Sequence, residues 1–138
     1  MAELKSDFFN KEEVRTHDSR LSYINTFLPK LLKTAKEKTL GFKDHLESID
    51  PNEVRCIEDL QKIPVLRKSE LVNKQKLFPP FGGFERTEEQ KTTHFFQSPG
   101  PIYEPGTRGL DWGRFAPFLY ATGVRKGMVL QNCFSYHL

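Results

Sequence analysis

Apolar side chains recur every three or four residues in the first third of the chain, which is the spacing of one helix face. The pattern predicts a long helix from about Thr16 or Asp18 to Lys38, with Asp18 able to cap its start. Pro29 removes one backbone hydrogen bond from its middle, so we expect a kink or a break near Phe27. The recurring residues are Leu21, Ile24, Leu28, Leu31, Leu32 and Ala35.

Shorter helices are predicted after this helix, which Gly41 should end. Asp50 followed by Pro51 is typical of a helix start, because the first caps and the second has a suitable φ. Phe78–Phe84 contains two prolines and two glycines, and it predicts an extended aromatic linker that is flexible at Gly82 and packs over the core. The other short helices are expected at Phe42–Ser48, Ile57–Gln61 and Glu70–Lys76, the last with Ser69 as its cap.

Two strands joined by a stiff turn are predicted next. Thr92–Gln97 and Ile102–Glu104 have the composition of strands. Pro99 and Pro101 fix φ, and Gly100 between them can adopt a positive φ. Such a turn can present backbone N–H groups to an anion, although most turns of this composition are only turns.

The last third of the chain has the pattern of one α/β unit. Asp111 can cap a helix over Trp112–Thr122, in which Pro117 predicts a kink and after which Gly123 is a C-cap glycine. Met128–Phe134 is nearly free of charge and is typical of a central parallel strand. Strand, helix and strand of these lengths indicate a βαβ crossover.

Composition narrows the class of protein. The chain has 138 residues, of which 37% are hydrophobic and 28% are charged, and this balance is typical of a globular protein. The net charge of +3 is too small to argue for a nucleic-acid or membrane partner. Cys56 and Cys133 lie far apart without metal-ligand spacing, and none of the four histidines joins a metal pattern, so we expect no metal site. Reduced thiols, an inert Cys133 buried in its strand, and a cytoplasmic location are expected.

Charge is distributed unevenly along the chain. Residues 92–138 hold only six charged side chains, although the chain has 21 Lys and Arg and 18 Asp and Glu. A segment with so few charges must be mostly buried. It is, however, too short to cover both faces of a parallel sheet by itself. We therefore expect the N-terminal piece of a longer polypeptide, with an incomplete sheet that needs the remainder of its own chain and that self-associates when isolated.

Three segments together resemble a known family. The sequence IEDLQKIPVLRKSEL at Ile57–Leu71 looks like an entry segment, Phe95–Gly106 like a phosphate loop, and GVRKG at Gly123–Gly127 like the turn after a helix. The chain resembles the N-terminal part of the adenylate-forming (AMP-binding) ligases, closest to the phenylacetate–CoA ligase-like branch. Further matches to that branch are Trp112, Ala121 and the run NCFSY at Asn132–Tyr136.

The resemblance implies an activity for the parent protein. Such enzymes activate a small-molecule carboxylic acid, here an aromatic one by analogy with the branch, as an acyl adenylate and transfer it to CoA, using ATP, Mg²⁺ and CoA. It implies a helical subdomain at 1–91, with a linker at 78–84, and the truncated start of an α/β adenylation core at 92–138. The adenine-binding motifs, ribose-binding Asp and catalytic Lys of the family lie downstream. The chain alone should therefore be inactive, hold no catalytic residue and bind no cofactor.

The resemblance also assigns candidate binding residues. Ser98 and Gly100 match the family's phosphate loop, S-S-G-T-T-G-K-P, and Tyr136 with His137 stands where the family has a wall of the acid pocket. The loop departs from that pattern at Pro99, Pro101, Ile102, Tyr103 and Glu104, where Glu104 replaces a lysine. An alternative is therefore a relative that has lost adenylation and serves as a binding or scaffold domain. A stand-alone helical interaction module at 16–76 is a third, weaker interpretation.

Overall fold

The structure is a computed structural model, and it describes residues 7–86, 92–109 and 113–133. The chain divides into two compact units. The larger unit runs from His17 to Thr107, and the smaller unit combines the chain up to Thr16 with the chain from Arg108 onward. The hairpin thus groups with the helices that precede it. The division after residue 91, expected from the family resemblance, stays a prediction.

The first helix, α1, spans His17–Lys38, close to the predicted bounds. It continues through Pro29, so the break expected near Phe27 is wrong. Leu28 and Leu32, on either side of the proline, are both buried in the core. Because tertiary packing supplies most of the stability of a helix, these contacts outweigh the one missing backbone hydrogen bond.

The second helix, α2, spans Leu40–His45, and Gly41 lies inside it instead of ending α1. Thr39 separates the two helices because its backbone is extended there, with φ −137°. The Thr39 hydroxyl donates to the Ala35 carbonyl at 2.9 Å and accepts from the Phe42 N–H at 3.1 Å. One side chain therefore caps the end of α1 and the start of α2.

Two short 3₁₀ helices and α3 complete the helical part. The 3₁₀ helices span Pro51–Glu53, which Asp50 caps as predicted, and Ile57–Lys62. Helix α3 spans Lys68–Leu77 and begins two residues before its predicted start. Ser69 therefore lies within the first turn instead of capping it.

The core of the larger unit is small. Among its described residues, four buried apolar side chains form one cluster, to which α1 supplies two, and Phe81 and Ile102 are buried outside this cluster. Lys36 closes one edge, because its ammonium donates to the carbonyls of Glu47 at 3.0 Å and Ile49 at 2.7 Å. The four core residues are Leu28, Leu32, Leu46 and Val54, and Ala35, Phe42, Ile49 and Ile63 pack against them.

Turns at 79–83 replace the extended conformation expected for Phe78–Phe84, whereas the expected packing over the core is confirmed. Phe81 is 5% exposed. Gly82 and Gly83 are buried with φ of +75° and +73°, a backbone conformation that glycine adopts without a steric cost. The Gly83 carbonyl accepts from the Gly41 N–H at 2.7 Å, which fixes this segment against α2.

Two antiparallel strands form the predicted hairpin, β1 at His94–Ser98 and β2 at Ile102–Gly106. Their register pairs Ser98 with Ile102 next to the turn. Ile102 is buried, whereas β1 is exposed at every position before Ser98. The α/β class with an incomplete sheet is therefore confirmed, because two strands form the sheet in the described part of the chain.

In the smaller unit, α4 spans Phe115–Ala121. It begins later than predicted, so Pro117 falls in the first turn, where its missing N–H costs no helical hydrogen bond and predicts no kink. Gly123 ends the helix as predicted, with φ +92°. Its N–H donates to the Tyr120 carbonyl at 3.0 Å, and the Val124 N–H donates to Leu119 at 3.0 Å, which is a Schellman ending. The proposed cap, Asp111, and Trp112 lie outside the described residues.

The apolar run after α4 is not a strand over residues 128–133, the part of it that the structure describes. Val129 is 97% exposed, and Met128 and Leu130 are each 57% exposed. The expected parallel strand and its βαβ crossover are therefore absent among the described residues, because no neighbouring strand supplies backbone partners there. Cys133 is exposed, which corrects the expectation of a buried thiol.

Candidate functional site

The candidate phosphate loop is the three-residue turn at the tip of the hairpin. Pro99, Gly100 and Pro101 connect the last pair of the ladder, Ser98 and Ile102. Gly100, which can adopt a positive φ, is not among the glycines that do so. Apart from its two chain neighbours, no atom lies within 4 Å of the position that a Cβ would take on Gly100, so the protein leaves open space at the tip of the loop.

The side-chain hydroxyl of Ser98 lies directly before the turn. Its oxygen atom is buried, and it has no hydrogen-bond partner among the described residues. A buried hydroxyl without a partner costs about 1–3 kcal/mol, so native proteins seldom leave one unpaired. An orphaned hydroxyl next to an open loop fits a residue that hydrogen-bonds a ligand.

The loop has few donors for an anion. Pro99 and Pro101 carry no N–H, so Gly100 supplies the single backbone N–H of the three loop residues. A loop of glycine, serine and threonine of the same length would supply three. The site can therefore make fewer hydrogen bonds to a phosphate group than the family pattern implies.

Glu104 does not belong to this loop. It lies in β2, paired with Phe96, and it is exposed. Glu104, which stands at the position of the lysine in the family's loop pattern, is therefore a strand residue in this chain and not part of the turn. Its carboxylate is hydrated on the strand, and water screens its repulsion of an anion at the loop.

The other two candidate residues, Tyr136 and His137, lie outside the described residues. The structure thus describes Ser98 and Gly100 on one loop and makes no statement about the expected acid pocket. Within the described ranges, no group of three or more His, Cys, Asp or Glu side chains has the geometry to hold a metal ion. None of the described helices is long and apolar enough to cross a bilayer.

Gln75 is a residue of this region that the sequence did not single out. Its side chain is 8% exposed and lies between α3 and β2. The amide Nε2 donates to the Tyr103 carbonyl at 2.7 Å, and the Tyr103 N–H donates to Oε1 at 2.9 Å. One signal was present, because Leu71 and Val72, four and three residues earlier, share its helix face. A glutamine on that apolar face indicates a buried polar partner.

An apolar groove of about 340 Å³ lies beside the loop. Pro101 and Phe95 form its wall on the hairpin, and Val72 and Pro79 form the wall on the α3 side. Lys76 is the one cationic side chain that lines it. The volume is within the range of small-ligand sites.

A second polar cluster lies away from the loop, around Asp59. Its carboxylate accepts from the Arg55 N–H at 2.8 Å and the Cys56 N–H at 3.2 Å, and it pairs with Lys62 at 2.8 Å. The Lys62 ammonium and the Arg55 N–H hold the pKa of Asp59 well below its usual value. Hydrogen bonding to Glu58 raises the pKa of the Cys56 thiol, which disfavours a reactive thiolate. The cluster therefore caps the start of the 3₁₀ helix that begins at Ile57.

No protein-family model matches the sequence, and no curated protein matches it. The fold does match solved structures of 2-hydroxyisobutyryl-CoA ligase. Two structures of its postadenylation state each match 91% of this chain with a TM-score of 0.79. The structure in complex with R3-HIB-AMP is 20% identical in sequence to this chain, and the structure in complex with 2-HIB-AMP is 21% identical. A third, bound to 2-HIB-AMP and CoA in the thioesterification state, matches with TM-score 0.76 at 20% identity and the same coverage.

The chain spans 28% of the length of each of these ligase chains. An identity of 20–21% establishes a shared fold and nothing finer. The chain therefore has the α/β fold of part of 2-hydroxyisobutyryl-CoA ligase.

Proposed function

We propose that this chain is the N-terminal part of an ATP-dependent, AMP-forming acyl–CoA ligase. One observation carries the proposal: nearly the whole chain superimposes on about a quarter of a solved acyl–CoA ligase. Two features of the chain agree with it. The apolar run at 128–133 is exposed, and β1 has a free edge in the described part of the chain, as expected where more of a sheet follows.

The proposed reaction has two steps. A carboxylate oxygen attacks the α-phosphorus of ATP, the bond to the pyrophosphate oxygen breaks, and an acyl adenylate forms. The CoA thiol then loses its proton and attacks the acyl carbon, so that a thioester forms and AMP leaves. Mg²⁺ supplies neutralisation of the phosphate charge in such chemistry.

Two residues of this chain would contribute to ATP binding. The Ser98 hydroxyl is already desolvated and has no partner among the described residues, so it can donate to a phosphate oxygen without losing another hydrogen bond. Gly100 leaves room for a phosphate group at the tip of the loop. We assign Tyr136 and His137 to the wall of the acid pocket, on the resemblance of the segment that holds them.

The proposed branch of the ligases and the proposed class of acid are supported by sequence motifs. The segment Ile57–Leu71 and the turn Gly123–Gly127 support the phenylacetate–CoA ligase-like branch, and that branch suggests an aromatic acid. We propose a cytoplasmic enzyme whose partners are this acid and the remainder of its own polypeptide, with no nucleic acid or membrane. The helical subdomain at 1–91 and the start of the adenylation core at 92–138 complete the proposal.

A second function is favoured by the composition of the loop. Because Pro99 and Pro101 leave one backbone N–H, the loop is a poor cradle for a triphosphate. The alternative is a non-catalytic binding or scaffold domain built on the ligase fold.

Pyrophosphate exchange distinguishes the two functions. The complete polypeptide encoded by the gene is incubated with ATP, Mg²⁺, labelled pyrophosphate and one carboxylic acid at a time, from aromatic to short-chain acids. Acid-dependent label in ATP supports the ligase, and residues 1–138 alone should give none. A folded complete polypeptide that exchanges label with no acid supports the binding domain.

A further inference from the structure

The amide of Gln75 occupies the place of a neighbouring strand along β2. A backbone N–H can only donate and a carbonyl can only accept, so the two contacts fix which end of the amide faces which atom of Tyr103. The pair reproduces the two hydrogen bonds that one residue of an adjacent strand would make.

These contacts show which way the backbone of β2 points. Both polar atoms of Tyr103 face α3, so in the antiparallel ladder its partner Gln97 must direct its own N–H and carbonyl away from β2. Pro105, two residues after Tyr103, shares this orientation, and its missing donor costs the ladder nothing. The side of β2 that faces α3 is therefore closed at Tyr103 by one side chain.

We propose that Gln75 is a positioning residue: its side-chain amide holds the hairpin against α3 and thereby sets the position of Ser98 and the loop that follows. Tyr103 is one residue from Ile102, which closes the loop as the partner of Ser98. The other side-chain hydrogen bond described to β2, from the Thr93 hydroxyl to the Gly106 carbonyl at 3.4 Å, comes from the start of the hairpin itself and does not tie it to α3. The inference that Gln75 positions the hairpin depends only on the observed contacts, whereas an effect of Gln75 on catalysis depends also on the proposed ligase function.

Replacement of Gln75 by glutamate distinguishes a role that depends on the two hydrogen bonds from one that depends only on the volume of the side chain. A protonated carboxyl carries one O–H and one carbonyl oxygen, so it can repeat both hydrogen bonds, whereas a carboxylate can only accept. In Gln75→Glu the hairpin should therefore be held by both hydrogen bonds at low pH and more weakly at neutral pH, where the carboxylate accepts from the Tyr103 N–H but has no proton for the Tyr103 carbonyl. The pKa of the introduced carboxyl should lie above its usual range, because burial and the facing carbonyl oxygen disfavour the charged form.

The measurement is amide hydrogen exchange at Tyr103, expressed as the rate in the variant divided by the rate in the unsubstituted chain at the same pH. Loss of two neutral hydrogen bonds should raise this ratio by roughly 30-fold in Gln75→Leu at every pH. In Gln75→Glu the ratio should lie between one and the Gln75→Leu value near pH 7, where one hydrogen bond is lost, and fall towards one near pH 4, where both form. Asn73→Leu, an exposed change on the same helix, should leave the ratio at about one.

Ratios that rise equally at Leu28 in the distant core would show general unfolding and overturn the positioning role. A Gln75→Glu ratio that does not vary with pH would overturn it as well. In the complete polypeptide, Gln75→Leu should raise the KM for ATP in pyrophosphate exchange more than it lowers kcat, with Asn73→Leu unchanged. If the unsubstituted polypeptide shows no exchange activity, the ligase function fails while the Tyr103 result still decides the positioning role.

Discussion

Replacing Gly41 by alanine should destabilise the protein, although alanine is the better helix former. Gly41 lies inside α2, where the change in helix propensity alone would add about 1 kcal/mol of stability. A Cβ at this position, however, would lie 2.7–2.8 Å from three atoms of the Phe84 ring. Such distances are below the van der Waals contact of two carbons, so α2 or the ring must move.

Neither group can move without a cost. The Phe84 ring packs edge-on against Phe42 at 5.0 Å between centroids, and the Lys74 ammonium lies 5.9 Å from its centre. Gly41 is held by its hydrogen bond of 2.7 Å to the Gly83 carbonyl. Overpacking costs roughly 1–3 kcal/mol, and weakening this hydrogen bond costs about 1 kcal/mol more. After subtraction of the gain of about 1 kcal/mol in helix propensity, the net loss should be about 1–3 kcal/mol, or a fall in Tm of roughly 3–15 °C.

Urea unfolding followed by far-UV circular dichroism measures this loss. Gly100→Ala is the matched control, because no atom lies within 4 Å of its new Cβ and its φ is not positive. It should change the free energy of unfolding by less than about 0.5 kcal/mol. Adding Phe84→Leu to Gly41→Ala should cost less than the sum of the two single changes. An alanine at position 41 that equals or exceeds the unsubstituted chain in stability would refute the packing argument.

Three further changes test other parts of the structure. Arg114→Gly should stabilise α4 by about 1 kcal/mol in thermal unfolding, because Arg114 has φ 54°. Asp59→Asn should lower the stability of the protein at neutral pH, because the pKa of Asp59 is lower in the folded than in the unfolded state and its carboxylate therefore stabilises the fold above the unfolded pKa. This contribution is lost as the pH falls towards the folded pKa, so the effect of the substitution should become smaller at low pH. Ser98→Ala should leave unfolding by urea within about 1 kcal/mol and lower pyrophosphate exchange by the complete polypeptide.

Each of these has an outcome that contradicts it. A Tm lowered by Arg114→Gly would show that the strain at this residue is smaller than the entropy that glycine adds. A loss of stability in Asp59→Asn that is equal from pH 7 to pH 2 would exclude a contribution from the carboxylate charge. Exchange activity unchanged in Ser98→Ala would remove Ser98 from the phosphate site.

Local signals predicted the elements that local interactions determine. The spacing of leucines gave α1, Asp50 and Pro51 gave a helix start, and Gly123 gave the end of α4. In each case the residues that decide the structure lie within one or two turns of it. The hairpin followed for the same reason, because its two prolines restrict φ at the turn itself.

The errors occur where distant contacts decide. Pro29 does not break α1, because leucines on both sides of it are buried against other elements. Gly83 lies directly against α2 and Gly82 against Gln75 of α3, and the composition of the segment does not reveal these contacts. The buried Gln75 shows the same limit, since its partner Tyr103 lies 28 residues away. The run at 128–133 does not form a strand, because a strand needs hydrogen bonds to a neighbouring strand whereas a helix forms its hydrogen bonds internally.

The most direct test of the account is hydrogen exchange over residues 128–133, compared between residues 1–138 alone and the complete polypeptide. In the isolated chain these amides should exchange at nearly the rates of an unfolded peptide, because Val129 and its neighbours are exposed and form no strand. In the complete polypeptide the account predicts protection of at least about a hundredfold, as expected for a strand inside a covered sheet. Equal, fast exchange in both proteins would contradict the claim that this chain is part of a larger ligase fold.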